Sequence, residues 1–233
     1  GLEKALAAGV EMVTFVHNET SAGIRNPAAE IAKMTKKAGA LVVMDGITSI
    51  GGDEVKVDAW GVDVAFMGSQ KCFAAPAGLS AISVSKKAWD MLSERRPYYL
   101  DLAAYRKSAS STPMETPYTP AVALFLALRE ALLIAEAEGV EARIARHRKM
   151  ADAVRAAVTA WGLPMFPKID ALHAYSNTAT AVSVPAGVDE KVLRSTVKQM
   201  GIEIAGGQDA LKGKIFRIGH MGAVGSPEIL AAL

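Results

Sequence analysis

The chain has 233 residues, 51% of them hydrophobic and 21% charged, the profile of a globular domain or two. Lys and Arg (26) nearly balance Asp and Glu (24), a formal net charge of +2, so no nucleic-acid partner is expected; no apolar run reaches the length of a membrane span, so no membrane is expected either. The single cysteine, Cys72, excludes a disulfide framework and a multi-cysteine metal site and fits a reducing, cytoplasmic setting.

The opening residues, "GLEKALAAGVEMVTFVH", read as the tail of a helix running into a strand at "EMVTFVH". "NPAAEIAKMTKKAG" has the marks of a helix: Asn26 as N-cap, Pro27 in the first turn and Gly39 as the stop. "ALVVMD" is a continuous apolar run ending in Asp45, the pattern of a strand covered on both faces of a parallel sheet. "VDVAFMG" and "LSAISVS" repeat that pattern, and "KKAWDMLSERR" reads as an amphipathic helix. Alternation of this kind predicts an α/β layer with helices over the strands.

From Tyr98 to Pro120 the texture turns to Ser, Thr, Pro and Tyr, as in a loop or linker. Two long helices follow, "AVALFLALREALLIAEAEG" and "VEARIARHRKMADAVRAAVTAWG", the second stopped by Gly162 and Pro164. The remainder reads strand, helix, strand, strand, a small α+β unit. The division expected is a large unit over 1–120, a linking helix over 121–140 and a small unit over 141–233. "SPEILAAL" reads as a helix only begun, with Ser226 as N-cap and Pro227 first in the helix. No initiator methionine stands at the front, so the chain is expected to be an internal piece of a longer polypeptide.

In open parallel sheets, ligands sit beyond the carboxyl ends of the strands. Three polar positions fall there: the "HNETSAG" loop, Asp45, and Lys71 in "MGSQKCFAAPAG". A carboxylate, an amine and nearby hydroxyls at one sheet edge suit an aldehyde cofactor with an aromatic nitrogen. Taken singly, each has an ordinary reading: an Asp closing a strand is a turn former, a Lys in a loop a solvated charge, an Arg in a strand a surface residue. "GITSIGG" is a candidate phosphate cradle but lacks the GxGxxG order. His17 and His220 read as packed histidines, Cys72 as core.

Together, "HNETSAG", "MDGITSIGG", "MGSQKCFAAPAG" and "FRIGHMG" resemble class V aminotransferases, the alanine–glyoxylate and serine–pyruvate branch of the pyridoxal-phosphate (PLP) enzymes of fold type I. The resemblance extends over nearly the whole chain. It implies an α/β fold with a mostly parallel sheet and a small C-terminal α+β domain, and it implies these roles. Lys71 matches the lysine that forms the internal Schiff base with PLP, and Asp45 the carboxylate on the pyridinium nitrogen. Thr20 matches the hydroxyl near O3 of the cofactor, and Ile47 the aliphatic side chain on one ring face. Gln70 matches a phosphate contact; Thr116 and Thr119 match polar groups reaching the phosphate of a neighbouring subunit, hence a homodimer with its active sites at the interface. Arg217 matches the arginine that grips the substrate α-carboxylate. The activity implied is transamination between an amino acid such as alanine or serine and a 2-oxo acid such as glyoxylate or pyruvate.

The chemistry accounts for the residue types. An amine attacks an aldehyde only when unprotonated, a form that burial and a neighbouring cation favour. A carboxylate keeps the ring nitrogen protonated, so the ring can accept electrons. A guanidinium is the group suited to bidentate carboxylate recognition. The upstream portion of the family, with its glycine-rich phosphate loop and ring-stacking aromatic, has no counterpart in this sequence. Three alternatives share parts of the pattern. A cysteine desulfurase or related lyase needs a nucleophilic cysteine far downstream of the lysine, and Cys72 is misplaced for that. A phosphonate transaminase differs outside these motifs. A non-catalytic binding module would need no electron sink.

Overall fold

The computed structural model describes residues 1–233. A short helix α1 (Leu2–Ala7) leads into β1 (Met12–Val16). A hairpin follows, β2 (Asn18–Glu19) and β3 (Ile24–Arg25), then helix α2 (Ala28–Lys37), β4 (Leu41–Asp45), a helical turn α3 (Val57–Trp60) and β5 (Val64–Gly68). The β1, β4 and β5 strands pair in parallel, Val16 opposite Asp45 and Asp45 opposite Phe66. That register brings Asp45 and the turn after Gly68 to the same sheet edge. Ala28 and Ala32 of α2 pack with Val42, Met44, Val62 and Ala65 on one face, so the apolar runs that form β4 and β5 contribute to the core as expected.

Three local expectations are corrected. Asn26 does not cap α2: its side-chain amide donates to Val16 O at 2.7 Å, tying the helix entrance to β1, and Pro27 takes the capping position. The next strand, β6 (Ser80–Val84), pairs antiparallel with β5 at the edge of the sheet and is largely exposed, although its sequence reads as a buried strand. Helix α4 (Lys86–Asp90) is a single capped turn, with Ser85 Oγ accepting from Ala88 N–H, and stops well short of the arginines expected to end it.

The Tyr98–Pro120 stretch is not all loop, because Asp101 caps a helix α5 (Leu102–Ala109). Helices α6 (Val122–Glu138) and α7 (Val140–Ala160) meet at Gly139. Strands β7 (Met165–Phe166), β8 (Ala174–Tyr175) and β9 (Ala179–Ser183), helix α8 (Glu190–Gln199), then β10 (Ala205–Gly206) and β11 (Ile215–Gly219) complete the second sheet, ordered β10–β11–β9–β7 and antiparallel throughout. Strand β8 instead pairs with β3, stitching this part of the chain to the first hairpin. The last helix, α9 (Ser226–Ala232), takes Gly225 rather than Ser226 as N-cap, because the Glu228 carboxylate accepts from Gly225 N–H at 2.8 Å.

Met150, Val154 and Val158 recur at helical spacing on α7 and close a second core against Val182, Phe216, Ile218 and Ile229. Val154 is fully buried, so Val154→Ala should cost about 2 kcal/mol, two methyl groups plus the cavity left behind. A lowered urea midpoint at unchanged slope would register it; a loss under about 0.5 kcal/mol would show that this core does not bear on stability.

Candidate active site

Lys71 sits in the turn that leaves β5. Its carbonyl accepts from Ala74 N–H at 2.9 Å, and Ala75 N–H returns to Ser69 O at 3.0 Å. Ser69 is fully buried and its hydroxyl donates to Pro76 O at 2.7 Å, so this serine staples the small-residue loop shut. The Lys71 side chain is half-buried and its amine is in no salt bridge. Without a carboxylate partner, the Lys71 Nζ is open to a ligand in the cavity.

Asp45 closes β4 one strand away. One carboxylate oxygen accepts the Ile47 N–H at 2.8 Å, an Asx turn that fixes the side chain. Asp45 is in no ion pair, so its other oxygen remains to accept a further donor. Ile47 and Gln70 pack beside Gly68 at the end of β5, where a Cβ would lie 3.4 Å from Ile47 Cγ2 and 3.1 Å from Gln70 Oε1.

Lys71 and Arg217 line one cavity of about 340 Å³, together with Thr20, Glu19, Gln208 and Met221. Arg217, on β11, donates through Nε to Gly206 O at 2.9 Å and through Nη1 to Thr20 O at 3.1 Å. These two carbonyls aim the guanidinium and leave its remaining N–H groups for a ligand. Thr20 and Thr48 hydroxyls are 2.8 Å apart. Thr48 donates to Asn18 O, so the shared proton comes from Thr20. Asn18 in turn donates to Thr178 Oγ1 at 2.6 Å. This chain of polar side chains ties the "HNETSAG" loop to "GITSIGG" and to the start of β9. Thr48 and Ser49 are buried, so "GITSIGG" is a packed turn.

The other expected positions lie apart. Asp45 and Ile47, at the end of β4, do not line the cavity. Gln70 is exposed beside Gly68. Thr116 and Thr119 are exposed on the stretch between α5 and α6, outside the Lys71–Arg217 cavity. Burial pushes His17 and His220 down to about 4. His220 is a packing residue, its two nitrogens meeting Thr180 Oγ1 and Asn177 O. Burial likewise pushes the Cys72 thiol up to about 12, far from the thiolate a sulfur nucleophile needs. Ser69, Thr48 and Asn18 do not stand out in the sequence. The "GS" before "QK" was the one available signal for Ser69, since a serine after a strand-ending glycine is placed to bond its own loop.

The family described as aminotransferase class-V matches residues 1–223. An uncharacterised aminotransferase of Methanocaldococcus jannaschii is 45% identical over 96% of this chain and 58% of its own length. The serine–glyoxylate aminotransferase of Arabidopsis thaliana is 35% identical over 96% of this chain and 56% of its own. Among solved structures, the pyridoxamine–pyruvate aminotransferase of Mesorhizobium loti superposes with a TM-score of 0.92 at 33% identity, covering 99% of this chain and 60% of that one. The chain thus spans somewhat over half the length of the relatives it matches.

Proposed function

This chain belongs to the class-V aminotransferases and has the α/β architecture of fold type I, and from that premise we propose that the protein it represents is a PLP-dependent aminotransferase. The proposed reaction passes an amino group between an amino acid, alanine, serine or similar, and a 2-oxo acid such as glyoxylate or pyruvate. One observation carries this reading: an unpaired lysine and a braced arginine face one cavity, at the sheet edge where Asp45 holds a free carboxylate oxygen.

The residues fit the cofactor by their donor chemistry. Asp45 offers an acceptor for a protonated ring nitrogen, Ile47 an aliphatic surface, Thr20 a hydroxyl, Gln70 an amide for a phosphate, and Lys71 the amine. When bound, PLP supplies a ring that accepts the electron pair released from a substrate carbon. Lys71 would hold the cofactor through Nζ, and as a free amine it would be the base placed to take the proton from the substrate Cα. Asp45, with one carboxylate oxygen unoccupied, would hold a protonated ring nitrogen. Arg217 fixes the substrate carboxylate through two parallel N–H donors, and so fixes the direction of the Cα–H bond relative to Lys71.

A half-reaction screen tests the substrate class. The PLP form mixed with single amino acids should convert to the pyridoxamine form with at least one small donor. Conversion by none of them would contradict the proposal.

We further propose that 1–120, 121–140 and 141–233 act as large domain, linking helix and small domain, that the protein works in the cytoplasm, and that it is an obligate homodimer. No helix is long and apolar enough to cross a membrane. The dimer reading is supported by apolar side chains left exposed along α6, Val122, Phe125, Leu126 and Ile134 among them, close in sequence to the exposed Thr116 and Thr119. Sedimentation of the active enzyme should give a dimer; a fully active monomer would contradict it. The thiol of Cys72, buried and high in pKa, favours no desulfurase.

A further inference from the structure

Next to this site lies a charged cluster that the reaction chemistry does not use. Arg143, on the first turn of α7, is 5% exposed, and all three sides of its guanidinium are engaged. Nε donates to Gly51 O at 3.1 Å, Nη1 to Glu138 Oε2 at 2.6 Å, and Nη2 to the carbonyl of Cys72, the residue after Lys71. One turn on, Arg146 shares the same carboxylate, with Nε 2.5 Å from Glu138 Oε1. Its other donors reach Gly222 O at 3.1 Å and Val224 O at 2.7 Å. Those carbonyls belong to the segment that leaves β11, the strand carrying Arg217.

His147 completes the cluster. Gly222 N–H donates to its Nε2 at 3.1 Å, so Nδ1 carries the proton and donates to Arg143 O at 2.7 Å. Burial holds this imidazole below its ordinary pKa, in keeping with the neutral tautomer. Gly222 is thus gripped at both its N–H and its carbonyl. It also lies against the lysine loop: a Cβ there would meet Lys71 O at 3.0 Å and Ala74 Cβ at 3.1 Å. The φ of +80° adds the conformational need for glycine.

We infer that Glu138, Arg143, Arg146 and His147 form a clasp that sets the spacing between the Lys71 amine and the Arg217 guanidinium, and so acts as a positioning device for the amino-acid substrate. Glu138, the last residue of α6, is its hinge pin, because one carboxylate is shared by both arginines and couples the carbonyl of Cys72 to those of Gly222 and Val224. The bonds are charge-assisted, the kind that hold geometry best. A substrate gripped by its carboxylate at one end and attacked at Cα from the other is sensitive to that spacing, since displacements of about 1 Å cost on the order of a hundredfold. The inference rests on the roles proposed above for Lys71 and Arg217.

The test uses Glu138→Gln, which keeps shape and removes the charge, and Arg146→Ala, which frees only the Gly222 side. Amide hydrogen exchange of the cofactor-free protein should rise about tenfold at both 72–75 and 221–225 in Glu138→Gln. In Arg146→Ala it should rise chiefly at 221–225. In the PLP-loaded full-length protein, kcat/KM for the amino donor should fall about tenfold in both variants, with cofactor content unchanged. Exchange unchanged at 72–75 in Glu138→Gln, or kcat/KM within about twofold of wild type, would overturn the clasp. A visible cofactor band that survives Lys71→Ala would overturn the cofactor assignment instead, and the exchange data, taken without cofactor, tell the two failures apart.

Discussion

Lys71→Ala is expected to abolish transamination and, with it, the visible absorption of the PLP-loaded protein. Lys71 lines the cavity that Arg217 faces and has no ionic partner to satisfy, so its loss removes an amine without stranding a buried charge. The fold should survive, with melting close to wild type, because the loop is held by Ser69 and by main-chain bonds that do not involve the Lys71 side chain. The rate should fall by about four orders of magnitude or more, as when a nucleophile that doubles as a base is deleted. Activity within tenfold of wild type, in a protein that still takes up PLP, would remove Lys71 from the chemistry.

Arg217→Ala is expected to raise KM for the amino acid and the oxo acid by about 2–3 kcal/mol, roughly thirtyfold to a hundred and fiftyfold, while the visible band stays. The magnitude is that of a charged hydrogen-bonded pair lost from a partly enclosed site. Arg217 also serves the carbonyls of Gly206 and Thr20, so the Ala variant loosens β10 and the "HNETSAG" loop as well. Arg217→Lys separates the two effects. It keeps the positive charge but cannot present two parallel donors while reaching both carbonyls, so KM should recover only in part. An unchanged KM in the Ala variant would take Arg217 out of the site.

What could be seen in the sequence follows from where the physics is local. Continuous apolar runs ending in Asp45 and Gly68 marked β4 and β5, since a strand covered on both faces has no polar positions to break the pattern. The positions of Asp45 and Lys71, at and just past the ends of two such strands, then put both at one edge. Strand β6 misled because its composition is that of a buried strand while its place at the sheet edge leaves it largely exposed. Helix α5 was hidden in a Ser- and Tyr-rich stretch where the Asp101 cap was the only cue. The clasp was out of reach for another reason. Arg143 lies 71 residues from Cys72 and Arg146 lies 76 from Gly222, and their acceptors are main-chain carbonyls, which leave no mark in a sequence. On a helical wheel both arginines read as a solvated face.

The most direct test is chemical. The PLP-loaded protein should be reduced with borohydride, digested, and its peptides mapped by mass. The cofactor-derived mass is expected on Lys71 and on no other lysine, in a peptide that spans Ser69 to Ala75. Recovery of the label on a different lysine, or a protein that binds PLP with no covalent label after reduction, would contradict the central assignment.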